Sequence, residues 1–118
     1  MNPRINIDVE HRSNVAVVKV AGEVDLYSSP ELRKAILSQA EKRPSRLVVD
    51  LSGVQYMDSS GVATLVEGLQ KLEQNGGELV LCGLGDMVQE VFKLTRLDSV
   101  FQILPSLEEA LAEESAGA

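Results

Sequence analysis

Tryptophan is absent from this 118-residue sequence, and phenylalanine and tyrosine occur only twice each. A buried core must therefore be aliphatic, built from leucine, valine and isoleucine. Cysteine occurs once, at Cys82, which rules out an internal disulfide or a cysteine cluster. That residue lies in the apolar run "ELVLCGL", where a small buried hydrophobe is expected rather than a reactive thiol. Histidine also occurs once, at His11, and one histidine with one cysteine cannot make a typical zinc set. Basic residues are in deficit. A formal charge of −7 offers no footprint for nucleic acid and disfavours anionic membrane surfaces, so a basic protein partner suits the chain better. No apolar run approaches the ~18 residues of a membrane span, and "MNPRINIDVEH" has no hydrophobic signal core. A cytoplasmic protein without membrane insertion is the expectation.

What is present reads as one domain, residues 1–118, with a frayed tail from about residue 112. A chain of this length buries roughly two-thirds of its unfolded surface. "RINIDVE" alternates Ile5, Ile7 and Val9 with polar residues, the period of a strand with one buried face. "VAVVKVAG" follows a turn-like stretch at Arg12–Ser13–Asn14, which predicts an antiparallel hairpin ending at Gly22, with "EVDLYS" a loop. A helix starts near Ser28–Ser29, with Pro30 in its first turn and Glu31 facing the positive end of the helix dipole. "RLVVDL" reads as a buried central strand and "ELVLCG" as another. "DMVQEVFKLTRL" reads as a short amphipathic helix, "VFQIL" as an edge strand and "SLEEALAEE" as a last helix capped by Ser106. The expected class is α/β (mixed α+β): a largely parallel sheet covered by helices, with the hairpin added antiparallel.

The stretch "YMDSSGVATL", residues 56–65, stands between the central strand and a helix whose stripe is Val62, Leu65, Val66, Leu69 and Leu72. A nucleophile elbow needs glycine two residues before the serine as well as two after. Met57 precedes Ser59 and Asp58 precedes Ser60 at that position, and the only histidine lies far off in the chain. Neither serine fits an enzyme, and no catalytic site is expected. Asp50 and Asp58 bracket the loop expected after the central strand and could bind Mg²⁺ weakly, although such acids more often cap helices and turns. "CGLGDMV" carries a glycine pair but has Val88 at the third glycine position of a dinucleotide fingerprint. No cofactor is therefore expected.

At 100° per residue, Ser59 lies roughly 80° from the stripe centre and Ser60 nearly opposite it. On this reading Ser59 caps the helix start. Ser60 faces solvent with Thr64, Glu67 and Lys71, either as an ordinary exposed serine or as the acceptor of a regulatory phosphate. A phosphate there suits the helix N-terminus, with about 0.3–2 kcal/mol from the dipole and free amides. Asp58 opposes it by a comparable screened amount. The domain should therefore survive the modification, whereas a docked partner should not.

"VVDLSGVQYMDSSGVATL" closely resembles the signature of anti-sigma factor antagonists, soluble bacterial members of the STAS domain family. "VAGEVDLYSSPELRKAI" and "LVLCGLGDMVQEVFKLTRLDSVFQILPSLEEAL" extend the similarity over nearly the whole chain. The resemblance implies a mixed four- or five-stranded sheet with helices packed largely on one face. It matches Ser60 to the phosphorylated serine, Asp58, Ser59 and Gly61 to its neighbours, and Asp25 to an acidic residue nearby. Thr64 and Glu67 then belong to the partner-binding surroundings. The implied partners are an anti-sigma factor serine kinase, which the unphosphorylated form binds to free a sigma factor, and a PP2C-type phosphatase, which restores that form. The alternative is a STAS scaffold or regulatory subunit of a stress-signalling or transporter complex.

Overall fold

In the computed structural model, which describes residues 4–116, a two-residue turn at Ser13–Asn14 folds β1 (Ile5–Arg12) back on β2 (Val15–Val24). The antiparallel register runs from Ile5 opposite Gly22 to Arg12 opposite Val15. Then α1 (Ser29–Glu41) leads to β3 (Arg46–Met57), α2 (Ser59–Gln74) to β4 (Glu78–Cys82), and α3 (Asp86–Leu94) to β5 (Gln102–Leu104). A short 3₁₀ turn at Leu97–Ser99 precedes β5, and α4 (Leu107–Ala116) closes the described chain. Ser106 caps α4, its Oγ accepting from the Glu109 amide at 3.2 Å.

The sheet order is β1-β2-β3-β4-β5, with β2 to β5 all parallel. Because each crossover moves the sheet on by one strand in the same direction, right-handed connections place α1, α2 and α3 on one face. Their core includes Leu32, Ile36, Leu47, Leu65, Leu81 and Phe92, all fully buried. The aromatic exceptions to an aliphatic interior are Phe92 and Phe101, which meet edge-on with ring centres 5.5 Å apart. Only α4 takes the opposite face. Its Ala110, Leu107 and Leu111 cover Val15, Val17, Val48, Val80 and Cys82. Cys82 is fully buried, and burial with the nearby Asp50 carboxylate pushes its thiol up to about 12.

Three boundaries differ from the sequence reading. Beyond Gly22, β2 continues to Val24, and β3 runs on to Met57 instead of stopping after "RLVVDL". Both extensions arise together, since Glu23 pairs with Tyr56 and Val24 with Met57 across two register shifts. One shift sits at Gly22, whose φ of +106° only glycine adopts easily and where a Cβ would run into the Arg4 carbonyl. The backbone of α4 extends to Ala116, past the point where a frayed tail was expected, and residues 117–118 lie outside the described part.

Candidate functional site

The C-terminal ends of β2 and β3 lie side by side, and the register brings Asp25 and Asp58, the residues that follow Val24 and Met57, to the same edge. The Asp58 amide donates to the Val24 carbonyl at 3.0 Å, continuing the ladder one step beyond the strands. Asp25 then turns the chain into α1. Its Oδ1 accepts from the amides of Tyr27 and Ser28, each at 2.9 Å, while its other oxygen accepts from Arg4 Nη1 at 2.6 Å. Burial pushes the Asp25 carboxyl up, but those amides and the Arg4 guanidinium outweigh it and hold the group below the ordinary aspartate value. Ser28 locks the turn, donating to the Glu23 carbonyl at 2.8 Å and accepting from the Asp25 amide at 2.9 Å.

Asp58, not Ser59, caps α2. Its Oδ1 accepts from the amides of Ser60 at 2.9 Å and Gly61 at 3.4 Å, satisfying donors the helix leaves free. The same oxygen accepts the Ser60 hydroxyl at 2.5 Å. Ser59 is exposed and Ser60 half-buried, the reverse of the order that the helical wheel predicts for their relation to the core. Thr64 also departs from expectation: it is buried, and its Oγ1 donates to the Ser60 carbonyl at 3.0 Å.

The orientation of α2 explains the burial of both serines and of Thr64. The residues of α2 that are buried include Gly61, Thr64 and Gly68 as well as Val62, Leu65 and Leu72. At 100° per residue this turns the inward direction by about 60° from the stripe of large apolar side chains. Small residues let the helix approach closely. A Cβ at Gly61 would come within 2.7 Å of Val24 and Met57 atoms, and one at Gly68 within 2.7 Å of Ile36. Counting only large hydrophobic residues misses such contacts.

Glu67 stands two turns along α2 from this edge, about 10 Å by helix rise. Its carboxylate is engaged by Arg33 of α1 in a bidentate pair, both contacts at 2.8 Å, whose hydrogen bonding holds Glu67 below its ordinary value. The pair joins α1 to α2 and leaves Glu67 outside the cluster formed by Asp25, Asp58, Ser59, Ser60 and Gly61. Asp50 and Asp58 do not share a cation site: the segment between them is strand, so they stand roughly 25 Å apart along β3. Among the described residues no group of histidine, cysteine, aspartate or glutamate could hold a metal ion, and no helix is long and apolar enough to cross a membrane.

Sequence reasoning missed Arg4, Leu26, Tyr27 and Tyr56. Leu26 is 67% exposed, Tyr27 76% and Tyr56 43%, so the C-terminal ends of β2 and β3 carry large exposed apolar side chains. Adjacent leucine and tyrosine in a loop directly after Asp25 were the available signal. Arg4 lies under Tyr27, its guanidinium carbon 5.9 Å from the ring centre.

The STAS domain model matches residues 6–110. A Listeria monocytogenes protein named anti-sigma-B factor antagonist is 35% identical over 100 residues, covering 84% of this chain and 88% of that protein. A Staphylococcus aureus protein of the same name is 32% identical over 99 residues, covering 84% of this chain and 92% of that one. The crystal structure of an anti-sigma factor antagonist from Mycobacterium paratuberculosis superposes with a TM-score of 0.86 at 34% identity, covering 95% of this chain and 96% of that one.

Proposed function

The chain belongs to the STAS domain family of anti-sigma factor antagonists, and from that premise we propose that it switches partners through phosphorylation of Ser60. The unphosphorylated form binds an anti-sigma factor serine kinase and frees the sigma factor held by that kinase. Phosphate on Ser60 breaks the complex, and a PP2C-type phosphatase restores the binding form.

The observation that supports this reading is the setting of the Ser60 hydroxyl. It sits in the first turn of α2, half-buried, beside the Asp58 cap and on an edge bearing exposed Leu26, Tyr27 and Tyr56. Those three side chains supply apolar surface for a partner to cover, while Asp25 and Asp58 give the same edge the acidic character a basic partner surface would match. A phosphate added there sits at the positive end of the α2 dipole, in the half-exposed first turn, so the fold tolerates it. Within a covered interface the same near-dianion costs several kcal/mol, and about 4 kcal/mol weakens binding a thousandfold.

The test is direct. The kinase recovered with the unphosphorylated chain should, with ATP, add one phosphate to the wild type and none to Ser60→Ala; continued labelling of that variant would sink the assignment. Ser60→Asp should fold normally yet bind the kinase much more weakly in a titration. Equal affinity would place the switch elsewhere.

A further inference from the structure

The Ser60 hydroxyl donates to Asp58 Oδ1 at 2.5 Å, the short end of the range for a hydroxyl on an ionised carboxylate. That acceptor is held in place from several sides. The same Oδ1 receives the amides of Ser60 and Gly61, and the Asp58 backbone is tied to the Val24 carbonyl. The Ser60 proton is thus directed inward at a fixed carboxylate, which leaves the oxygen lone pairs for an incoming electrophile. Ser59, one residue earlier and more exposed, makes no side-chain hydrogen bond with a described residue. Accessibility alone would choose Ser59, so something other than exposure has to favour Ser60.

We propose that Asp58 is the proton acceptor for Ser60 when the hydroxyl takes a phosphoryl group, so that the substrate protein carries part of its own catalytic apparatus. This rests on the reading of Ser60 given above. In the step, Ser60 Oγ forms a bond to the γ-phosphorus of a nucleoside triphosphate. The bond from that phosphorus to its bridging oxygen breaks, and the electron pair leaves with the nucleoside diphosphate. The hydroxyl proton passes to Asp58 Oδ1, already within the reach a general base requires. Protonation also removes the negative charge of Asp58 as the phosphate arrives, and its new O–H can donate to a phosphoryl oxygen. The carboxylate that opposes the phosphate electrostatically is thereby neutralised by the same reaction.

Asp58→Asn and Asp58→Ser separate capping from proton transfer, because both residues cap helices while neither carries a carboxylate. Each is assayed with Mg-ATP and the kinase recovered with the unphosphorylated chain, the modified residue being located by mass spectrometry. Weaker docking from the lost acidic charge shows in KM and in a binding titration, both measured apart from kcat at saturating kinase and ATP. The kcat of both variants should fall about a hundredfold or more, the scale of a lost general base. A fall of less than about tenfold in either variant overturns the proposal. So does a kcat that follows melting temperature across the two variants. Wild-type labelling at a residue other than Ser60 would instead overturn the functional reading, and this proposal with it.

Discussion

Arg4 and Asp25 meet at 2.6 Å across the mouth of the β1–β2 hairpin, joining the start of the first strand to the turn that launches α1. The pair fixes the loop that carries the exposed Leu26 and Tyr27 at the end of β2. Arg4 is half exposed, so its Coulomb contribution is screened by water, whereas Asp25 is also anchored by two backbone amides.

The first prediction concerns pH. A carboxyl held below its unfolded value stabilises the fold when ionised, so the Asp25 contribution is complete above about pH 4. It disappears as pH falls through the lower folded value. Asp25→Asn should therefore be less stable than the wild type at pH 7, with the gap narrowing toward pH 2 in urea titrations. An undiminished gap at low pH would mean that the charge of Asp25 is immaterial.

Gly61 is a packing residue. Gly61→Ala places a methyl within 2.7 Å of Val24 and Met57 atoms in the main core. Overpacking of this kind costs about 1–3 kcal/mol, and urea unfolding should show it as a lower midpoint with an unchanged slope. The displaced start of α2 should also slow phosphorylation of Ser60.

Arg46 holds α4 on its face of the sheet. Nearly buried, it donates to the Ala110 carbonyl at 2.9 Å and pairs with Glu78 at 2.8 Å, while its buried Nε makes no hydrogen bond among the described residues. Arg46→Ala removes the tie to the Ala110 carbonyl and opens a void beside α4, which should cost about 1–3 kcal/mol by denaturant titration. Amide exchange should quicken selectively in α4. Uniform exchange across all the helices would show that α4 does not depend on this anchor.

Cys82 should be inert in the folded protein. Fully buried and with its thiol pushed up to about 12, it offers almost no thiolate near neutral pH. A colorimetric thiol reagent at pH 8 should react only when denaturant is added, with a rate that follows unfolding. Rapid labelling of native protein would contradict the packing beneath α4.

Much of this was legible because periodicity and caps are local. Alternation in "RINIDVE", the near-continuous run "RLVVDL" and the Ser106 cap before the last helix each express a backbone preference that neighbouring residues determine. The exchange of roles around Ser59 and Ser60 was not local. It depends on where β3 ends, and β3 reaches Met57 because Glu23 and Val24 pair with Tyr56 and Met57. That placement makes Asp58 the cap and leaves the first helical position to Ser59. Arg4 was illegible for the same reason, since its partner Asp25 lies 21 residues away.

By itself, then, the sequence determined the elements, their order and the residue types gathered near the start of α2, because hydrophobic period, turn chemistry and capping act over a few residues. The tertiary structure decided which serine hydroxyl meets the aspartate, which face of α2 is inward and which side chains border the site. Those outcomes depend on strand register and on the close approach of α2 to Val24 at Gly61 and to Ile36 of α1 at Gly68, contacts between residues distant in the chain.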